Sequence, residues 1–211
     1  MLTKWLNFMV KKKDNTTESE ILEAAKRIFQ RKGLFGARMQ EIADEAGINK
    51  ALLHYYYRSK QLLFEAVFKQ AFNLMGPKLN EVLNADLGLE EKIRAFTSNY
   101  ISFVIKHPYL PNFIIQELNS NPEFVEKLVA EKNFPNISKF KTQVDELVAA
   151  KKIRPISPEQ LFINVMALNI FPFIGAPLLK GFTNMDDENY TQLLEDRKTQ
   201  AADFIINAIT L

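Results

Sequence analysis

Between residues 38 and 60 the chain gathers side chains suited to hydrogen bonding and charge pairing: Arg38, Gln40, Asn49, Lys50, His54, Tyr55, Tyr56 and Lys60. The Lys50 ammonium has three donors, which suit guanine O6 and N7 or a phosphate oxygen. Asn49, Ala51 and Leu52 share its turn, and the two apolar ones can touch a thymine methyl. Arg38 and Gln40 can reach a phosphate backbone or a base edge. Bond-making sets are missing. Without Cys there is no disulfide, thiolate metal site or cysteine nucleophile. The two histidines, His54 and His107, are too far apart in the chain to suggest a zinc site. There is no Gly-rich phosphate loop and no nucleophile–base pair. The expectation is no enzyme, no catalytic residue, no metal and no cofactor.

The elements that must position these groups follow from spacing. Ala43 lies mid-way in a short helix over about Arg38 to Ala46, Gly47 follows four residues later, and Leu53 six after that. This is helix-turn-helix spacing: a small residue for close approach, a glycine for a positive φ, and apolar plugs at Ile48 and Leu53. Asn49 caps the second helix, whose first turn can then enter a major groove. Before it, Thr17-Glu18-Ser19-Glu20 fits a capping box opening a helix that buries Ile21, Leu22, Ala25, Ile28 and Phe29, with Gly33 at its end. After it, Ser59 caps a fourth helix carrying Leu62, Leu63, Ala66, Val67, Ala71 and Leu74, which Gly76-Pro77 bends or breaks. The start of that helix favours a phosphate, and Lys60 adds a charge there.

Charge is uneven along the chain. Residues 1–60 carry 12 basic and 7 acidic side chains, whereas residues 61–211 carry 15 and 18. A basic end beside an acidic remainder suits contact with a polyanion. Lys11-Lys12-Lys13 reads either as a DNA-contacting arm or as a solvated tail. Residues 1–15 are expected to be disordered, and Met9 is an alternative start to Met1. The first ten residues lack a signal-peptide cleavage site, so the chain is expected in the cytoplasm. Leu161–Leu179 is long and apolar, but Asn164, Asn169, Pro172, Gly175 and Pro177 interrupt it, so burial from two sides is expected rather than a membrane span.

The remainder also reads as helix, and the fold class is all-α with about nine helices. One helix covers Ile93 to His107 and ends at Pro108. Asn121-Pro122 opens a long one toward Ala150. Ser157-Pro158 opens another, and a last stripe runs from Tyr190 to Ala208. No convincing strand pattern occurs.

Residues 18–64 resemble the N-terminal domain of the TetR family of transcriptional regulators. The likeness lies in Ile21-Leu22-Glu23-Ala24-Ala25, Phe29 with Lys32-Gly33, Glu41 through Ile48, and Leu53-His54-Tyr55-Tyr56-Tyr57-Arg58-Ser59-Lys60-Gln61-Leu62-Leu63. The family usually has Thr or Ser at Ala37-Arg38, often Tyr at His54 and Phe at Tyr57. The resemblance implies a head over 16–62 and a ligand-binding, dimerising body over 63–211. It gives Lys60 a backbone phosphate and Tyr56 a hydroxyl bond to another. His54 either bonds a phosphate or packs. Arg38 either grips a phosphate or pairs with a nearby Glu.

The resemblance further implies a homodimer on a palindromic double-stranded DNA operator, most simply a repressor released by an unknown small-molecule effector, with the fourth helix as lever. The implied pocket draws on Phe103, Phe113, Phe162, Met166 and Phe173, with His107, Tyr109, Gln116, Glu117 and Asn169 as polar groups. Phe171 belongs to the same set, and ordinary core packing accounts for any one Phe as well. The runs 161–179 and 190–209 are expected at the dimer interface. The rival reading is a helical small-molecule or lipid-binding protein, or an enzyme, without specific DNA binding.

Overall fold

Apolar residues at helical spacing, with glycines and prolines at the joints, make the chain a succession of helices. The computed structural model describes residues 2–108, 110–112, 115, 122–131 and 134–211. Among them are ten delimited helices and no strand. The chain divides into two compact units, one ending at Phe72 and the other running from Asn73 to Leu211.

The first unit holds α1 (Leu2–Gly36), α2 (Met39–Glu45), α3 (Lys50–Tyr56) and the opening of α4 (Lys60–Asn84). Two expectations are corrected in α1. Residues 2–15, expected as a disordered arm, continue the helix, because no Gly or Pro interrupts the chain before Gly33. Thr17 is therefore inside the helix rather than its N-cap. Gly33 (φ 66°) breaks the helical geometry just before the last turn, as a left-handed glycine does. Ile21, Ala25, Ile42, Ala43, Leu53 and Leu63 are fully buried, and the rings of Phe29 and Phe64 meet edge to face at 4.7 Å.

The expected boundary at 62/63 falls within α4, whose residues through Phe72 belong to the first unit. The buried stripe of this helix is Leu63, Phe64, Val67, Phe68, Ala71, Phe72, Met75 and Leu79, while Leu62 and Leu74 face outward. Nor does α4 break at Gly76-Pro77. Pro77 withholds one N–H from the Asn73 carbonyl, and Asn73 is exposed to water, which can replace it.

The second unit continues with α5 (Leu89–Lys106), α6 (Pro122–Val129), α7 (Ser138–Ala149), α8 (Pro158–Ile174), α9 (Ala176–Thr183) and α10 (Asp187–Ile209). The expected single helix from Pro122 to Ala150 is two, α6 and α7. Pro135 lies between them; it has no N–H and biases Phe134 away from helix, so one continuous helix cannot run through this stretch. The run 161–179 is likewise two helices, bent by 77° across Gly175. No single described helix is long and apolar enough to cross a membrane, though this bent pair matches by length and composition.

The core of this unit lies where α10 runs along α5 and both meet α8. Pro172 sits inside α8 and cannot donate to the Leu168 carbonyl, so a part-buried acceptor is left over. Arg197 of α10 supplies the missing donor, with Nη2 at 2.6 Å from that oxygen. Tyr190 of the same helix donates to the Pro172 carbonyl at 2.6 Å. Asn169 is fully buried, and its amide donates to Thr97 Oγ1 at 3.2 Å.

Candidate nucleic-acid interface

The turn between α2 and α3 is set by hydrogen bonds that close around Gly47. The Gly47 N–H donates to the Asp44 carbonyl at 3.1 Å, and the Ile48 N–H to the Ala43 carbonyl at 3.0 Å. This is a Schellman ending, and it requires the positive φ that Gly47 adopts (67°). Asn49 then caps α3, its Oδ1 accepting from the Leu52 N–H at 2.8 Å. Leu53 is fully buried beneath α3.

With Leu53 turned inward, the opposite face of α3 is outside. Asn49, Lys50, Ala51, His54 and Tyr55 are exposed, and Leu52 and Tyr56 are half-buried. His54 is exposed, so the half-buried packing role expected as one alternative is corrected. The rings of Tyr55 and Tyr56 meet edge to face at 5.5 Å. Arg38 is exposed as the N-cap of α2, contributes no side-chain cap, and among the described residues has no ion pair. Gln40, also exposed, donates to Asp44 Oδ1 at 2.8 Å.

Two of the three acidic side chains of α2, Glu41 and Glu45, are paired with basic groups on α1. Glu45 accepts from Arg27 Nε at 2.7 Å and from Arg31 Nη2 at 3.0 Å, and Glu41 accepts from Lys32 at 3.0 Å. The Arg27 bond is the main cause holding the Glu45 carboxyl below its usual range, and the Lys32 bond does the same for Glu41. These pairs fix α2 against α1 and leave Arg38, Lys50 and Arg58 without an ion pair among the described residues. Sequence reasoning misses the clamp. Basic residues at 27 and 31, one helical turn apart, are its only signal.

Two polar contacts secure α3 and α4. The Lys60 ammonium donates to the Ala37 carbonyl at 2.9 Å and the Phe35 carbonyl at 3.3 Å, tying the start of α4 to the end of α1. One of its three donors is left for a phosphate. Tyr57, where the family usually has Phe, is buried but places its hydroxyl 3.0 Å from Glu18 Oε1, to which it donates. Desolvation and the Glu18 charge both push its pKa up.

The residues named for a ligand pocket are not gathered in one place. The rings of Phe103 and His107 meet at a tilt of 34° with centroids 4.4 Å apart, and both line a cavity of about 250 Å³ between α4 and α5. Phe162 packs into the core against Phe96 and Phe140, and Met166, Asn169 and Phe173 are core residues too. Tyr109, Phe113, Gln116 and Glu117 lie outside the described residues. Sequence reasoning misses the other cavity residues, although Asn99, Ser102, Phe103 and Lys106 share one helical face. No group of three or more metal-ligating side chains occurs among the described residues.

Residues 21–67 match the family model described as bacterial regulatory proteins, tetR family. The chain is 25% identical over 187 residues to the HTH-type transcriptional regulator RutR of Escherichia coli K12, covering 83% of this chain and 84% of that one. It is 30% identical over 104 residues to the HTH-type transcriptional repressor NicS of Pseudomonas putida, covering 48% of each. Its fold is similar to that of HlyIIR, a hemolysin II transcriptional regulator, with a TM-score of 0.61 and 23% identity over 93% of this chain and 98% of that one. The capped, outward-facing α3 and these similarities agree: residues 21–67 form the helix-turn-helix domain of bacterial regulatory proteins of the tetR family, and the chain is a TetR-like helix-turn-helix transcriptional regulator.

Proposed function

We propose that this protein is a dimeric repressor that holds a palindromic operator through two copies of α3 and releases it when a small molecule enters the body. The observation that carries this reading is the Gly47–Asn49 turn, which leaves the first turn of α3 exposed above a buried Leu53. Lys50 reads a base edge or grips a phosphate, and Ala51 and Leu52 meet thymine methyls beside Asn49. Arg38, Gln40, His54, Tyr55, Tyr56 and Lys60 hold the backbone and set the register. Repression is favoured by the likeness to NicS, itself a repressor.

Dimerisation is supported by apolar surface on the body. Ile163 and Phe171 of α8, Leu178 and Phe182 of α9, and Phe204 of α10 are all more than half exposed. Between α8 and α10 the apolar surface forms a hollow of about 330 Å³ lined by Leu161, Ala167, Leu168, Phe204, Ile205 and Ala208. A second copy of the same helices is the self-complementary cover that a two-fold axis provides. Release follows if the ligand prefers a conformation in which the two heads miss successive major grooves, about 34–36 Å apart.

A gel-shift with the duplex upstream of the protein's own coding sequence tests the reading. A shift that survives excess nonspecific DNA and weakens steeply with salt is expected. A chain that binds no duplex at low ionic strength would leave the rival reading, a helical ligand-binding protein without an operator.

A further inference from the structure

The α4–α5 cavity has two chemically different walls. Leu74, Met75 and Leu79 of α4 and Phe103 of α5 make one apolar, and Leu74 is 55% exposed although Met75 and Leu79 beside it are buried. The other edge carries Lys78, Lys106, Asn99, Ser102 and His107. None of the lining residues is an aspartate or glutamate. This stands out in a stretch where, over residues 61–211, acidic side chains outnumber basic ones 18 to 15. Lys78 and Lys106 are exposed, and among the described residues neither forms an ion pair.

An apolar wall facing cations and neutral donors selects for a molecule with one apolar end and one negative end. A cationic ligand would meet two ammonium groups with no counter-charge, and a neutral one would leave the lysines idle. Lysine is a point charge rather than a fork, so a single small anionic head suffices. The volume, about 250 Å³, is at the small end for ligand sites, which limits the apolar part to a short or medium chain.

We infer that the effector site of this protein takes a small amphiphilic carboxylate, its head between Lys78 and Lys106 and its chain against Leu74, Met75, Leu79 and Phe103. The inference rests on the ligand-released reading above and adds the ligand class to it. Four of the lining residues, Leu74 to Leu79, flank Pro77, where α4 already lacks one backbone bond. The same helix begins at Lys60, directly after the DNA-facing segment. Occupancy of the cavity therefore loads α4 at its weakest turn.

Calorimetry on the full chain with octanoate, octanol and octyltrimethylammonium separates charge from chain. Octanoate is expected to bind about tenfold more tightly than the other two. In the double variant Lys78→Gln, Lys106→Gln it should fall to the level of octanol, with octanol itself unchanged. A thermal melt of the ligand-free variant checks that it folds, and the single variants Lys78→Gln and Lys106→Gln stand in if the double variant does not. Equal binding of octanol and octanoate, or octanoate binding that the lysine substitutions leave intact, overturns the inference. Operator binding without ligand is measured in parallel. If octanoate fails while the operator is still bound, only the ligand class is wrong. If no duplex is bound, the regulatory reading fails separately.

Discussion

The two units differ in the surfaces they leave open around their helices. In the first, Glu41 and Glu45 of α2 are paired with α1, while Arg38, Lys50, His54 and Tyr55 face water. In the second, large apolar side chains stay outside, Phe171, Phe182 and Phe204 among them. A surface of free cations suits a polyanion that brings its own charge. A surface of exposed phenylalanines suits a partner that brings more apolar area. Which atoms each unit leaves unsatisfied points to what it meets.

The comparison breaks most sharply at Leu53. Leu53→Ala should remove about 2–5 kcal/mol from the packing of α3, because the side chain has no exposed surface to lose. Operator binding should disappear in a gel-shift while the oligomeric state, read by sedimentation, stays as it was. Phe171→Glu with Phe204→Glu should do the reverse. The body keeps its fold, since both rings are more than half exposed, but sedimentation should report a monomer, with weakened binding to a palindrome.

Smaller effects sharpen the contrast. Arg197→Met should cost about 1–2 kcal/mol by chemical denaturation, because the Leu168 carbonyl loses its donor. Adding Pro172→Ala should recover much of this, since alanine at that position brings back the N–H. Gly47→Ala should cost about 1–2 kcal/mol from the left-handed backbone alone, as no atom lies within 4 Å of the added methyl. Arg38→Ser should split two effects: a gain of about 1 kcal/mol in stability from a new N-cap for α2, and a loss of DNA affinity.

The smallest effect is on pH. Glu45 and Glu41 titrate below their ordinary value of 4.5 in the folded chain, held down by Arg27 and Lys32. Their pairs therefore contribute above that value, and the contribution fades as pH falls through the lowered folded values. Screening by water keeps it modest. Denaturant midpoints should be flat between about pH 5 and 8 as far as these groups are concerned. A midpoint that drops below pH 4.5, and drops less in Glu45→Gln, confirms the clamp.

Local chemistry explains what could be read in advance. Asn49, Ser59 and Ser157 cap the helices they precede because a short side-chain oxygen reaches an amide three residues on, whatever the rest of the chain does. Gly47 ends α2 for an equally local reason. The exposed face of α3 follows, since one buried Leu53 orients the whole short helix. The body is less legible. Its aromatic residues are spread over several helices, and their types do not say which become core and which line a cavity. Phe162 and Phe103 look alike in sequence, yet one meets two rings in the core and the other a cavity.

The three prolines placed within expected helices make the same point. Pro77 looks like a break in the sequence, but its one orphan carbonyl lies near water and α4 continues. Pro135 stands out less in the sequence, yet it falls between two helices, α6 ending at Val129 and α7 beginning at Ser138. Pro172 stays inside α8 because Arg197, far along the chain on α10, brings a donor to the carbonyl it strands. Periodicity, caps and the helix-turn-helix are settled by residues within a turn or two of one another, so the sequence alone determined them. Whether a proline breaks a helix, and which phenylalanine meets a ligand, depends on donors and neighbours that only tertiary packing brings within reach.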